Sequence, residues 1–190
     1  NGIKVRSICA DYFMKAPIHS NDIVTVDKSI NILQRLIRNA SLMDVQDIVI
    51  PCVDQSSLKN DNDKRNFINN IKKVTSIAEE ADINICLETD LAPKPFANLI
   101  DLIGSKKVTI NYDIGNSASL GYDLKEELDL YGHRITDIHI KDRVYNGGPV
   151  ILGQGNADFK KFFKILHNYN YKGPYIIQAY RDDEGLKIFE

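Results

Sequence analysis

The stretch INICLETDLAPKPFANLIDLIGSKKVTINYD, residues 83–113, decides the fold. It opens with an apolar run of strand length, Ile85-Cys86-Leu87, that ends on Glu88. A helical pattern follows over 95–103, closed by Gly104, and a second run over 108–112 ends on Asp113. Pro93 or Pro95 suits the first helical turn, where a missing N–H costs nothing. Strand, helix and strand in succession make the unit of a parallel sheet, because parallel strands need a crossover of about a dozen residues or more.

The same alternation runs outward in both directions. Strand-like runs recur at 5–10, 47–53, 135–141 and 175–179. Between them, 26–43 carries Ile30, Leu33, Leu36, Ile37 and Ala40 at helical spacing, with Asp27 or Thr25 as the expected cap. Residues 63–81 repeat the pattern with Phe67, Ile68, Ile71, Val74, Ile77 and Ala78. Residues 158–169 place Phe159, Phe162, Phe163 and Leu166 on one face, expected to be core, behind Asp158 as N-cap. Another helix is expected from Leu186. Six βα-type units can be counted, and a closed (β/α)8 barrel has eight. An open, doubly wound parallel α/β sheet is therefore the alternative from pattern alone.

Composition narrows the class. The chain has 190 residues, 43% of them hydrophobic, and a net charge of −2. One domain over 1–190 is expected. No Lys/Arg block marks a nucleic-acid or anionic-membrane partner, and no apolar run is long enough to span a bilayer. Cys9, Cys52 and Cys86 lie inside apolar runs without a Cys-x-x-Cys pair. They read as reduced, buried thiols, and with no secretory leader in view the expected location is cytoplasmic. The chain begins without Met and stops inside a helical pattern, so truncation at both ends is expected. No Gly-x-Gly-x-x-Gly turn follows the first strand and no P-loop occurs, which argues against a nucleotide site.

The chemistry gathers at the ends of the runs. Glu88 and Asp113 close two of them, His139 and Lys141-Asp142-Arg143 close a third, and Gln178 closes a fourth after Tyr175-Ile176-Ile177. Strands of one parallel sheet or barrel would bring these oxygen and nitrogen donors together, as a divalent metal requires. Simpler readings stand beside this one. Glu88 could be a solvated strand end, Asp113 a turn cap, His139 a core histidine, Asn116 a turn residue and Gln178 a buried amide. Asp142 could pair with Arg143. His19, His133 and His167 read as solvated. Lys15 and Arg181 follow strands and could reach a substrate anion. The loop Gly153-Gln154-Gly155-Asn156 offers backbone N–H groups to a phosphate.

Five segments in order resemble the xylose isomerase-like TIM-barrel superfamily of sugar isomerases and epimerases. They are Ile85-Cys86-Leu87-Glu88, Tyr112-Asp113-Ile114-Gly115-Asn116, Ile138-His139-Ile140-Lys141-Asp142, residues 152–159 and Gly173-Pro174-Tyr175-Ile176-Ile177-Gln178. The resemblance is nearest to the L-ribulose-5-phosphate 3-epimerase and hexulose-phosphate isomerase branch. It implies a (β/α)8 TIM barrel, here with about six strands and without the first two βα units. It implies one divalent metal ion (Mn, Mg, Co or Zn) held by Glu88, Asp113, His139 and Gln178. A carboxylate at the edge of such a metal can act as base, and Glu88 is the candidate. Asn116, Lys141, Asp142, Arg143 and Gly155, close behind the strand ends, are the expected contacts of a small-molecule sugar or sugar phosphate.

The departure is Gln178, which stands where the family has a second Glu. A neutral amide cannot be a base, although its oxygen can still be a ligand. An isomerase with one base, a dehydratase of the inosose or dehydroshikimate type, and a noncatalytic sugar-binding relic therefore remain alternatives to an epimerase. An endonuclease of the superfamily is disfavoured by only four His and the negative charge. Open strand edges would be covered by missing strands or in a homo-oligomer.

Overall fold

A computed structural model describes residues 2–178. Six parallel strands form one sheet: β1 (Ser7–Cys9), β2 (Asp47–Cys52), β3 (Asn84–Thr89), β4 (Val108–Asp113), β5 (Ile135–Ile140) and, last among the described residues, β8 (Tyr175–Ile177). A two-residue hairpin, β6 (Asp142–Arg143) and β7 (Pro149–Val150), stands apart from it. The sheet order is β1-β2-β3-β4-β5-β8, which never reverses. A doubly wound sheet reverses at a switch point, whereas barrel strands follow one another in chain order. The winding is therefore that of a TIM barrel, with six strands among the described residues.

The chain divides into two compact units at Ile110 and Asn111, inside β4. The first unit carries a short helix α1 (Tyr12–Lys15) and the long helices α2 (Ile23–Leu42), α3 (Asp61–Ala81) and α4 (Pro93–Ile103). Its core is built by the helical spacing of α2, through Val26, Ile30, Leu33, Ile37 and Ala40, and of α3, through Phe67, Ile71, Val74 and Ala78. Asp22 caps α2, accepting from the N–H groups of Val24 and Thr25 at 3.2 and 3.1 Å. The helix thus starts a turn earlier than Thr25 or Asp27 as cap would set it. Asn60 caps α3 at Asp63 N, 3.0 Å, so that helix also begins before residue 63. Gly104 ends α4 with φ 77°, in the left-handed region where Gly carries no Cβ penalty.

Two expectations in this unit are corrected. His19 is buried (8% exposed), because the loop after α1 lies against α3. Asn70 donates to Ile18 O at 2.9 Å and Asn66 to Asn21 Oδ1 at 3.2 Å, which clips that loop down. Burial lowers the His19 pKa, against the opposing pull of Asp63. Cys9 is exposed on β1 at the sheet edge, while Cys52 and Cys86 are buried, and none of the three forms a disulfide among the described residues. Burial, with Asp90 and Glu88 nearby, pushes the Cys52 thiol far up, which keeps it protonated and inert.

The second unit adds α5 (Ile114–Leu120), α6 (Leu124–Tyr131) and α7 (Phe159–Leu166). Asp158 caps α7 at Lys161 N as expected, 2.8 Å. Phe162 is buried and stacks on Tyr112 with ring centroids 5.4 Å apart, but Phe163 is 44% exposed, so the aromatic face of α7 is only partly core. Glu127 on α6 is buried and accepts from three hydroxyls: Tyr112 at 2.7 Å, Ser117 at 2.5 Å and Tyr131 at 2.9 Å. Residue 179, Arg181 and the helix expected from Leu186 lie outside the described residues. No described helix is long and apolar enough to cross a membrane.

Candidate metal centre

Strand alternation positions the site. Successive side chains in a strand point to opposite faces. In the first unit the register pairs Asp47 with Asn84, Val49 with Cys86, Pro51 with Glu88, and Cys86 with Thr109. One face therefore carries Asp47, Asn84, Cys86, Glu88 and Thr109. The other carries Ile48, Ile50, Ile85, Leu87, Val108 and Ile110, all fully or almost fully buried. The polar face satisfies itself along its length. Asn84 Nδ2 donates to Asp47 Oδ1 at 2.9 Å, Cys86 Sγ to the same oxygen at 3.2 Å, and Thr109 Oγ1 to Cys86 Sγ at 3.2 Å. Glu88 ends this row at the carboxyl end of β3.

The second unit has a polar row of its own. Asn111 and Asp113 follow Thr109 at alternate positions of β4, and Asp137 and His139 alternate on β5. The β5–β8 register sets Ile176 opposite His139, so Gln178, two residues on, shares the face of His139. Its N–H donates to Ile140 O at 3.0 Å. Glu88, Asp113 and His139 are all buried, and one ligand atom from each lies within 4.8 Å of the others. Carboxylates gathered in a buried place repel unless a cation joins them.

Asp113 is both cap and ligand candidate. Its Oδ1 accepts from Asn116 N at 2.8 Å and so starts α5. Its Oδ2 is buried without a hydrogen bond, with Lys141 Nζ 3.5 Å away as a loose ion pair. Gln178 Oε1 is likewise buried without a hydrogen-bond partner. Two orphaned, buried oxygen acceptors are what a hard divalent cation takes. Asn111, missed in the sequence, orients His139: its side-chain amide lies 3.2 Å from Nδ1. The two ends of an amide are interchangeable in shape. The nitrogen end, Nδ2, faces Nδ1; turned over so that its oxygen accepts from Nδ1–H, the amide leaves the Nε2 lone pair for a metal, the usual outer-shell arrangement for a ligating His. The signal in the sequence was its place two residues before Asp113.

Around this centre, Arg143 donates from Nε to Gly147 O at 3.1 Å and from Nη1 to Asn116 Oδ1 at 2.8 Å. Gly115 lets α5 approach β5 closely, since a Cβ there would stand 3.0 Å from Lys141 backbone. The Asp142–Arg143 ion pair, one of the alternatives for Asp142, is absent, because adjacent strand residues point to opposite faces. Asp142 instead accepts from the N–H groups of Gly153, Gly155 and Ala157 at 2.9, 2.8 and 3.0 Å. The Gly153 and Gly155 N–H groups that the sequence offers to a phosphate are therefore already engaged.

Two acids and a histidine at the carboxyl ends of strands wound in barrel order make a candidate metal site on an α/β barrel. The family model described as xylose isomerase-like TIM barrel matches residues 1–189, and the chain belongs to that family. A Haemophilus influenzae protein that carries the provisional name L-ribulose-5-phosphate 3-epimerase SgbU is 27% identical over 205 residues, covering 100% of this chain and 71% of its own length. A xylose isomerase domain protein from Planctomyces limnophilus has the same fold with a TM-score of 0.78 at 18% identity, over 94% of this chain and 71% of that one. A xylose isomerase-like TIM barrel protein from Mycobacterium smegmatis, solved in complex with magnesium, gives 0.76 at 17% identity, over 96% and 68%.

Proposed function

We propose that this chain carries the site of a divalent-metal-dependent sugar or sugar-phosphate isomerase or epimerase, with Glu88 as the base. The observation that carries the reading is the buried Glu88–Asp113–His139 cluster with its orphaned Asp113 oxygen. Glu88, Asp113, His139 and the Gln178 amide oxygen would hold the ion. When bound, it would supply Lewis acidity to substrate oxygens that gain negative charge as the α-proton leaves. Glu88 takes that proton from the carbon beside the carbonyl and returns it, a role worth about 10²–10⁴-fold in general. Lys141 and Arg143 offer positive charge and N–H donors to the substrate oxygens, and Asn116 holds the Arg143 fork in place. Asp142 and Gly155 shape the loop beside Arg143.

The nature of residue 178 favours one-base chemistry. With a neutral amide there, Glu88 is the base that takes the proton from one carbon and returns it to its neighbour on the same face. The hydroxyl proton passes between the two oxygens, and the carbonyl moves to the adjacent carbon. The same neutral amide is the specific support for a second reading, a sugar-binding protein without turnover. Titration calorimetry with Mn²⁺ on the protein and on Glu88→Gln tests the site. One ion per chain, greatly weakened in the variant, is expected, and a folded protein that binds no ion would sink the metal mechanism. Exchange of the substrate α-proton with solvent should also vanish in Glu88→Gln, and exchange that survives would remove Glu88 as base.

A further inference from the structure

Asp142 is 1% exposed and opens β6, with Lys141 alone between it and the end of β5, yet it makes no ion pair with Arg143 or, among the described residues, with any other cation. Its carboxylate is filled by three backbone N–H groups of residues 153–157, two on Oδ2 and one on Oδ1. Convergent backbone N–H groups on a glycine loop form the usual cradle for a phosphate. Here the cradle is folded around the protein's own anion. The fit is close: a Cβ on Gly155 would stand 2.2 Å from Asp142 Oδ1 and 2.6 Å from Arg143 O. Charge-assisted bonds of this kind are about twice as strong as neutral ones.

The folded loop then holds the next residue. Asn156 N donates to Arg143 O at 2.9 Å, and Tyr145 N donates to Asn156 Oδ1 at 2.7 Å. Arg143 is thus held at its carbonyl, and Tyr145 two residues on is held to the same Asn156, while the Arg143 Nε and Nη1 are aimed by Gly147 O and Asn116 Oδ1. A guanidinium has five N–H donors, and these two bonds leave three. No carboxylate pairs with the Arg143 guanidinium among the described residues, so it keeps both charge and donors for a ligand.

We infer that Asp142 is a built-in anion that closes the glycine loop to phosphate and, through that loop, positions Arg143 as the group that receives an anionic substrate end. Asp142 is a positioning residue in this scheme. The inference rests on the proposed function only for what the anion belongs to, and its readout needs neither metal nor turnover.

The test is amide hydrogen exchange and NMR on the whole protein. In Asp142→Ala the amides of Gly153, Gly155 and Ala157 should exchange about tenfold faster or more. Formate, which restores the missing carboxylate, should return the protection, and neutral formamide should not. In the wild type, titration with inorganic phosphate should shift the Arg143 Nε–H resonance and leave the three loop amides in place. Loop amides that respond to phosphate would overturn the inference, as would unchanged exchange in Asp142→Ala or failure of formate on a folded variant. No response at Arg143 would overturn its assignment. Should Asp142→Ala not fold, Asp142→Asn keeps the shape and loses the charge, and wild-type loop protection in that variant would also overturn the inference.

Discussion

Asn111→Ala tests whether the amide behind His139 serves a metal. Asn111 is 2% exposed and His139 3% exposed, so no solvent replaces the lost partner at Nδ1. Removing an outer-shell partner of a ligating His typically costs about 10–100-fold in metal affinity. At about 1.4 kcal/mol per factor of ten, that is about 1.4–2.8 kcal/mol. The metal-free protein should also lose stability, by about 1–3 kcal/mol, because a buried ring nitrogen is left unsatisfied. Mn²⁺ titration calorimetry at neutral pH reads the first effect, and urea unfolding in chelator reads the second. Both losses together are expected. An affinity within about twofold of wild type, on a variant destabilised as stated, would show that Asn111 is a core partner of His139 and nothing more.

Two further perturbations follow from the same geometry. Gln178→Glu replaces an orphaned buried oxygen by a charged one on the face of His139, and Mn²⁺ affinity should rise; calorimetry showing no gain would place residue 178 outside the centre. Burial raises the Glu127 carboxyl above its ordinary value of 4.5, against its three hydroxyl donors. The folded state then holds the proton where the unfolded chain releases it, so the contribution of Glu127 to stability is complete below 4.5 and declines as pH rises through the folded value. Glu127→Gln should therefore gain stability relative to wild type as pH rises from 4.5, read by urea unfolding across pH, and parallel curves would refute this.

Local chemistry made part of this protein readable before any contact was known. The runs at 83–88 and 108–113 are β-rich in Ile and Val, end on acids and flank a helix marked by Pro93 and Gly104, all of which depend on neighbours in sequence. Glu88, Asp113 and His139 could be named because parallel strands deliver their last residues to one end. The alternation Asn84-Cys86-Glu88 and Thr109-Asn111-Asp113 is also present, but the Ile, Leu and Val of these buried strands mask it, and Asn111 with it. Helix α5 was not visible, since Gly115, Asn116, Ser117 and Ser119 are poor helix formers; the Asp113 cap and the packing against Lys141 make it. The two-residue strands of the 142–150 hairpin show no period at all.

By itself, then, the sequence determined the strand–helix alternation and the residue types at the strand ends, because periodicity and capping are local, while the barrel was implied only by the resemblance of five segments to a family. The tertiary structure alone decided the order of the strands, the burial of His19, the partner of His139 and the partner of Asp142. Each of those depends on groups brought together from distant positions, such as residue 142 with 153–157. A carboxylate beside an arginine in sequence reads as an ion pair until the pleat of the strand turns them to opposite faces.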